Sequence, residues 1–552
     1  MKSSTWYTDA IQKGLIGGGA AIWLALIGMV MRFSERTIIQ DVVDLGHMLL
    51  LVVVFVVAFS AAKREYPALL TVLAGAVAGA MTALFLLVLV LIGDAISLRT
   101  MFINASPELY EFLSFGNLTL LPVIGAATGA VAALFRFLPS RIRTAVLTGF
   151  AITVVIGVLS DQLLLIFTNN GLANYFRWLL APKGLTVVGA LIVTLIVAVI
   201  TYSNLIRGER RTTQIARPVT RGWVQYTTAL VALAILLYLP QFLGAYHSQV
   251  LNQVGLYILM GLGLNIVVGF AGMLDVGYVA FLALGAYAMG ILTSPEGFLA
   301  QSGGVWNFWT AAPIAFVVAV FAGILLGIPV LKIRGDYLTI VTLGFGEIIR
   351  ILAISDWLRP YTGGAQGIAA IPPIEIPGLF SISGPEKQQK LFYLILFCCI
   401  VAAFVATRLK TSRLGRAWMA VREDEDVAEA MGINLVQTKL LAFACGAAFS
   451  GVSGAIYATN LGSIYPHSFG LLISVNIVAL IIVGGMGNIW GVILGALVLV
   501  GLPELLREFS EFRLLVYGAV LIFMMLQRPE GLLPDQPQAL VKEDRGGMQP
   551  AA

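Results

Sequence analysis

Long apolar runs, separated by short polar and basic stretches, dominate this sequence. An apolar run of roughly 20 residues crosses a bilayer as a helix. We count about six candidate spans in the first part of the chain and about ten in the remainder. They are 14–31, 44–62, 67–93, 117–137, 144–166 and 184–204, then 224–246, 251–272, 275–293, 312–331, 336–355, 391–408, 437–459, 472–485, 489–503 and 512–527. The pattern predicts an all-α integral membrane protein, a polytopic helical bundle of about 16 transmembrane segments, in which 472–503 is alternatively one broken helical hairpin.

The composition agrees with this interpretation. Hydrophobic residues make up 59% of the chain and charged residues 11%, and the mean hydropathy is +0.92, well above the values typical of soluble domains. The three cysteines and three histidines have no spacing typical of disulfide frameworks or metal sites, so we predict no metal. The net charge of +5 comes from basic loops between spans, which argues against a nucleic-acid partner.

Basic residues cluster in alternate loops, as the positive-inside rule expects of cytoplasmic loops. These loops are 63–64, 136–143, 207–221, 332–334 and 408–422. With Arg528 near the last span, the rule predicts that both termini are cytoplasmic. The basic interval 207–222 is predicted to be a cytoplasmic linker. It separates an N-terminal transmembrane extension of unknown role, 1–206, from a second domain, 223–530, and the tail 531–552 is predicted to be disordered.

The stretch REDEDVAEAMGIN, residues 422–434, concentrates charge in a chain that has little. Before it, TSRLGRAWMAVR predicts a short helix capped by Ser412, with an apolar face formed by Leu414, Ala417, Trp418 and Val421. Asp424 is expected to cap a second helix that Gly432 ends in a left-handed conformation. Helices this short need a partner surface to be stable, so two interpretations stay open: a solvated loop, or a docking element in which Ala428 and Ala430 permit close approach.

Six stretches between residues 224 and 535 carry a family pattern in consistent order. They are RLGRAWMAVREDEDVAEAMGINLVQTKLLAFACGAAFSGVSGAIYA, GLNIVVGFAGMLDVGYVAFLALGAYAMGIL, IRGDYLTIVTLGFGEIIRIL, GGAQGI, IVALIIVGGMGNIWGVILGA and RPEGLLP. With them, residues 224–535 resemble the branched-chain amino acid ABC transporter permease family of the LivM type. The resemblance implies that the loop 409–436 couples the permease to a cytoplasmic ATPase. The implied coupling residues are Arg413, Gly415, Arg416, Arg422, Glu423, Asp424, Ala428, Glu429, Gly432 and Ile433.

The resemblance also implies a transport role. It implies an importer subunit in the bacterial cytoplasmic membrane, working with a second permease subunit of the LivH type, two ATPase subunits and an extracytoplasmic substrate-binding protein. The sequence lacks the phosphate-binding pattern GxxxxGK[ST], so we expect no cofactor and no enzymatic activity in this chain, with ATP and Mg on the ATPase subunits. The expected substrate is a branched-chain or other hydrophobic amino acid, and urea, short amides or another small solute is the alternative.

Polar residues within or beside the spans are candidates for a translocation path. They are Asn265, Gly269, Gly272, Asp275, Gly277, Glu347, Arg350 and Asn476. An ionisable residue in a span normally faces the protein interior or a water-filled cavity, and structural pairing of Glu347 with Arg350 explains that pair equally well. A simple helix hairpin explains GFAGMLDVG equally well. Glycines at 487, 491 and 495, and at 75 and 79, predict close helix packing. An ATP-independent carrier and a membrane-embedded enzyme are the competing classes, and the coupling-loop resemblance and scarce histidines count against both.

Overall fold

The apolar runs of the sequence fold into helices, as their length and composition predict. The structure is a computed structural model, and it describes residues 6–505 except 41, 64, 97, 182, 213–221, 299–303, 331–332, 334 and 377–379. Beyond residue 505 it describes 512, 515, 518, 521–522, 524, 526 and 530–533. Several predicted features therefore lie outside the described residues, namely Arg64, Arg217, Arg221, Lys332, Arg334, Arg528 and the tail from 534 onwards. The chain divides into two units, Met1–Thr228 and Ala229–Ala552.

Helices of the first unit pack through glycines. They are α1 (Trp6–Leu26), α2 (Met29–Ser34), α3 (Leu45–Ala61), α4 (Ala68–Ala95), α5 (Pro107–Leu113), α6 (Leu121–Leu134), α7 (Ser140–Val158), α8 (Ser160–Asn169), α9 (Ala173–Phe176) and α10 (Val187–Thr212). A Cβ on Gly79 would overlap the carbonyl oxygen of Gly125, and one on Gly75 would overlap that of Gly129. The close packing predicted for Gly75 and Gly79 is confirmed, because only glycine lets two helix backbones approach this far.

Short strands that the apolar pattern did not predict form a four-stranded sheet in the same unit. They are β1 (Thr37–Ile39), β2 (Val43–Asp44), β3 (Leu180–Ala181) and β4 (Gly184–Leu185), in the spatial order β2-β1-β4-β3. Ile39 pairs with Leu185 in parallel, and the outer pairs are antiparallel. Strands of two or three residues are too short to show an alternating pattern. The predicted span 184–204 therefore begins in a strand.

The helix that follows the predicted linker is broken once. It is α11 (Gly222–Leu264), which breaks at Gly244, where φ is 82°. Ser248 Oγ donates to the carbonyl oxygens of Gly244 at 2.7 Å and Pro240 at 3.3 Å, so acceptors released at the break are satisfied. The segment 247–250, between the predicted spans 224–246 and 251–272, is helical, and the chain breaks nearby at Gly244, since glycine tolerates positive φ. Of the linker 207–222, residues 207–212 belong to α10, and 213–221 lie outside the described residues.

The second unit is a helical bundle that follows a π-helical turn, Asn265–Phe270. Its helices are α12 (Val279–Thr293), α13 (Phe308–Val330), α14 (Asp336–Ile354), α15 (Arg359–Thr362), α16 (Lys387–Thr411), α17 (Arg413–Glu423), α18 (Glu425–Ala430), α19 (Leu435–Leu461), α20 (Leu471–Gly484), α21 (Ile489–Ala496) and α22 (Leu502–Leu505). Strands β5 (Glu375–Ile376) and β6 (Phe380–Ser381) form a hairpin. Glycines bring α19 against its neighbours: Gly454 meets the backbone of Leu282 in α12, and Gly451 meets Ala319 in α13.

The helices are long and apolar enough to cross a membrane many times. Within the described residues, nine helices qualify as membrane spans, and ten qualify if the bent pair Pro107–Leu113 and Leu118–Leu134 forms one span. Three more apolar helices are shorter, Leu45–Ala61, Val279–Thr293 and Ile489–Glu504. The chain is therefore a multi-pass helical membrane protein, and the total of about 16 stays a prediction.

Helices α20 and α21 form the broken hairpin that we gave as the alternative for 472–503. A Cβ on Gly491 would lie 2.6 Å from the carbonyl oxygen of Gly484, and one on Gly495 would overlap that of Leu480. Gly487, with φ of 81°, lies in the turn between the two helices. The predicted packing role is therefore confirmed for Gly491 and Gly495, whereas Gly487 shapes the turn.

Candidate functional site

The charged stretch belongs to an ordered helical hairpin, α17–α18. Ser412 caps α17, accepting a hydrogen bond from the Gly415 amide at 3.2 Å. A Cβ on Gly415 would overlap the carbonyl oxygens of Leu409 and Lys410, so glycine is needed where α17 folds back on the end of α16. Trp418 is completely buried and donates from Nε1 to the Thr438 carbonyl at 2.8 Å. The Ser412 cap and the helix are therefore confirmed.

The predicted apolar face of α17 is only partly buried within this chain. Trp418 and Val421 are buried, Ala417 is half-buried and Leu414 is exposed. The helix places these four residues on one face, and the interfacial role of that face stays a prediction.

Capping groups define both ends of α18, as predicted. Asp424 accepts hydrogen bonds from the amides of Asp426 at 2.9 Å and Val427 at 3.0 Å. At the other end, the Ile433 amide donates to the Ala428 carbonyl at 3.1 Å. The amide of Gly432, whose φ is 86°, donates to the Glu429 carbonyl at 2.9 Å. These are the two hydrogen bonds of a Schellman motif. Local hydrogen bonds within the hairpin therefore define both ends of α18.

A buried ion pair that the sequence analysis missed ties α18 to α19. Lys439 Nζ lies 2.8 Å from Glu425 Oε1 and 2.9 Å from Oε2. The side chain of Lys439 is only 3% exposed, while that of Glu425 is 22% exposed. The signal in the sequence was that Lys439 is the one charged residue of α19. A buried lysine needs a partner. Much of the charge in the hairpin is therefore structural.

The exposed surface of α18 and of the residue after it carries apolar side chains beside the acidic Asp426 and Glu429. Val427, Ala430 and Met431 are exposed, and the Met431 side chain is 79% exposed. Ala428, which we expected to permit a partner's close approach, is buried within this chain. The close approach at Ala428 and Ala430 stays a prediction, and Val427, Ala430 and Met431 are the apolar side chains left exposed. Arg413, Arg416, Glu423 and Glu429 are exposed around the hairpin.

Three candidate path residues lie at the base of the hairpin and are closely packed. Asn265 Oδ1 accepts a hydrogen bond from the Gly487 amide at 2.8 Å. Arg422 Nη1 donates to the Gly269 carbonyl at 2.6 Å, and a Cβ on Gly272 would lie 2.7 Å from Cγ of Arg422. These contacts leave no room for a methyl group on Gly269 or Gly272, and a path role for Asn265, Gly269 and Gly272 stays a prediction. They link the π-helical turn to the hairpin.

The C-terminal PEGLLP motif joins the same end of the bundle. The Leu532 and Leu533 amides donate to the carbonyl oxygens of Val483 and Gly484 at 2.8 Å and 2.9 Å. Lys410 Nζ donates to the Gly487 carbonyl at 2.8 Å. Three of the sequence motifs that carry the family resemblance therefore meet beside the hairpin, although they are far apart in the chain.

The opposite end of α16 and α19 carries the loop 356–386. Lys387, at the start of α16, donates from Nζ to the carbonyl oxygen of Asn460, near the end of α19, at 2.8 Å. Ile368 forms a bridge with Ile464. Since α19 has 27 residues, about 40 Å at the standard rise, the hairpin and this loop are separated by more than a bilayer core.

Asp275 is a buried carboxyl group between the π-helical turn and α12. Its Oδ1 accepts a hydrogen bond from the Gly277 amide at 2.9 Å, whereas Oδ2 has no hydrogen-bond partner among the described residues. A Cβ on Gly277 would overlap the Thr342 carbonyl oxygen, so this connection packs tightly on α14. The segment is irregular and closely packed, and a role in a translocation path stays a prediction.

Glu347 and Arg350 form the ion pair predicted from their spacing on α14. Arg350 Nε donates to both carboxylate oxygens of Glu347 at 3.0 Å. The Glu347 side chain is 44% exposed and that of Arg350 31%, so the pair is not enclosed by this chain alone. The structural pairing is confirmed, and a role in a translocation path stays a prediction. Asn476 is half-buried on α20.

The helices and the closed polar connections at one end of the bundle define a multi-pass membrane protein of the permease class. The chain belongs to the family described as permease component of branched-chain amino acid transport systems, whose family model matches residues 246–525. The resemblance seen in the sequence is therefore confirmed. No match covers the N-terminal extension, and no solved structure matches the chain.

Relatives with described functions agree with the family. The chain is 40% identical over 279 residues to the high-affinity branched-chain amino acid transport system permease protein LivM of Escherichia coli (strain K12), covering 47% of this chain and 63% of that protein. It is 25% identical over 244 residues to the probable branched-chain amino acid transport permease protein LivM of Methanocaldococcus jannaschii, covering 41% and 68%. It is 28% identical over 200 residues to the permease protein LivH of Escherichia coli (strain K12), covering 34% and 63%. The match thus spans less than two thirds of the Escherichia coli relatives.

Proposed function

We propose that this chain is the transmembrane permease subunit of an ATP-driven ABC importer for branched-chain or other hydrophobic amino acids. It acts in the bacterial cytoplasmic membrane with a LivH-type permease subunit, two ATPase subunits that carry ATP and Mg, and an extracytoplasmic binding protein that delivers the substrate. It crosses the membrane about 16 times with both termini in the cytoplasm. The relatives LivM and LivH of Escherichia coli support the pairing of two permease subunits.

The observation that carries the ATPase partnership is the ordered hairpin, which exposes apolar side chains among charged ones. A solvated loop has no need of two caps, a Schellman motif and a buried ion pair, and it gains nothing from exposing Val427 and Met431. A rigid element with exposed apolar groups suits a protein groove, because little conformational entropy is lost when it docks. The proposed coupling residues divide into two groups. Gly415, Arg422, Asp424, Ala428, Gly432 and Ile433 shape the hairpin, and Arg413, Arg416, Glu423 and Glu429 are exposed around it. To these we add Val427, Ala430 and Met431 as contacts with the ATPase.

Reconstitution tests the proposed function and its substrate. The chain, its second permease subunit and both ATPases are placed in proteoliposomes with ATP and Mg on the ATPase side, and labelled leucine is offered with the binding protein outside. We expect leucine uptake that requires both ATP and the binding protein. Uptake that persists without ATP would indicate a carrier instead. Competition by unlabelled urea or acetamide, with no competition by valine, would favour the alternative substrate class.

We propose further that residues 1–206 are an extension which the permease core does not need for assembly. The family model begins at residue 246, and the first unit of the structure ends at Thr228. A shortened chain that begins near residue 218 is expected to insert and to copurify with its partner subunits. If the shortened chain reaches the membrane but fails to copurify with them, the first unit belongs to the core.

A further inference from the structure

The outer face of α14 differs from that of a helix surrounded by lipid. We define this α14 face by Ile340, Gly344, Glu347, Ile348, Arg350 and Ile351. The three isoleucines are exposed, as lipid contact allows, but Glu347 and Arg350 lie among them with substantial exposure. Glu347 is eleven residues after Asp336 and seven before Ile354, so it is about 16 Å and about 10 Å from the two helix ends. An ion pair at that depth is costly when it faces hydrocarbon.

Snorkelling does not remove the difficulty. A long basic side chain near a helix end can reach the interface by extending outward. Arg350 instead turns back toward Glu347, one turn deeper in the span, and donates to both of its carboxylate oxygens. In the part of the chain that the structure describes, neither side chain makes a further polar contact. The pair therefore stays charged at membrane depth, so it needs a polar neighbour or a surface from which lipid is excluded.

A neighbouring helix has room to approach beside the pair. A Cβ added to Gly344 would meet no atom within 4 Å, so Gly344 leaves a notch in the surface one turn before Glu347. Small residues of this kind allow a second helix backbone to come close. The contrast with α13 is clear, because its exposed residues Val317, Phe321 and Leu325 are apolar throughout. That face needs no cover but lipid.

We propose that the α14 face is the surface that the second, LivH-type permease subunit covers, with a helix of that subunit seated at Gly344 and polar groups turned toward Glu347 and Arg350. The proposal rests on the proposed function, since it takes its partner from the permease pair. A lipid-facing role is excluded by the charge, and a soluble partner does not reach this depth. Covering the pair by protein removes it from lipid and supplies the hydrogen bonds it lacks.

Photocrosslinking in the intact complex tests the assignment. A benzophenone amino acid replaces Ile348 on the α14 face or, as a matched control, Phe321 on α13. These side chains are 55% and 65% exposed, respectively, and both lie on the middle of apolar helices. A third variant carries the probe at Met431, on the hairpin. The complex is purified after irradiation in native membranes, and the crosslinked partners are identified by mass spectrometry.

We expect the Ile348 probe to crosslink to the second permease subunit in several-fold higher yield than the Phe321 probe. If the Met431 probe reaches the ATPase and both permeases copurify, but the Ile348 probe gives no permease crosslink, this inference is overturned while the proposed function stands. Equal yields from Ile348 and Phe321 overturn it as well, as does an Ile348 crosslink to a second copy of this chain. If no ATPase copurifies and the Met431 probe finds none, the proposed function itself fails.

Discussion

The α17–α18 hairpin and the outer face of α14 use charge in opposite ways. In the hairpin, Asp424, Glu425 and Arg422 form structural contacts within the chain, and Val427 and Met431 are apolar side chains that stay exposed. On α14 the exposed background is apolar, and the groups without another contact in the described chain are Glu347 and Arg350. Each surface is unsuited to its own solvent, water in one case and lipid in the other. A partner surface of a membrane protein can therefore be identified by exposed residues that do not suit the solvent around them.

The largest expected loss of stability concerns the ion pair between Glu425 and Lys439, and it differs between the two partners. Glu425→Gln leaves the buried Lys439 without a counter-charge and is expected to cost about 3 kcal/mol. Lys439→Met leaves Glu425, which is partly exposed and can be hydrated, so its cost should be about 1 kcal/mol. Thermal unfolding of the two variants at one pH compares them. Equal losses, or a larger loss for Lys439→Met, would show that burial of the lysine does not decide the energetics.

On the α14 face, the same comparison should show itself in assembly and not in folding of the chain. Arg350→Met leaves Glu347 unpaired at the proposed interface and is expected to weaken association with the second permease by about 2 kcal/mol. The double variant Glu347→Gln with Arg350→Met removes both charges and should recover part of the yield. Copurification of the two permeases measures this, with leucine uptake beside it. If Arg350→Met assembles and transports like the parent, the pair has no part in the interface.

The hairpin could be predicted from sequence because its signals are local. Ser412, Asp424 and Gly432 are capping residues whose function depends on neighbours within a few positions. The burial of Ala428 could not be predicted in the same way, because it depends on how the chain turns after Gly432. The Glu425–Lys439 pair joins two helices at a separation of 14 residues, beyond any helical repeat.

The membrane part shows the same limit. Helix existence followed from apolar length, but the break at Gly244 and the short strands near Ile39 depend on contacts that no periodicity records. The spacing of Glu347 and Arg350 predicted their pairing, whereas the side of α14 that faces outward depends on packing with distant helices. Local rules therefore gave the elements and their caps, and tertiary contacts decided which residues remain exposed.

A charge placed on the hairpin tip tests most directly whether this hairpin contacts the ATPase. Met431→Arg puts a cation on the exposed apolar surface, and Met101→Arg is the matched control, because the two side chains are 79% and 80% exposed. Both variants are reconstituted with the partner subunits, and leucine-stimulated ATP hydrolysis and leucine uptake are measured together. We predict that Met431→Arg lowers both by about tenfold, the effect of about 1.4 kcal/mol, while Met101→Arg matches the parent. Normal coupling in Met431→Arg would contradict the assignment of this hairpin as the ATPase contact.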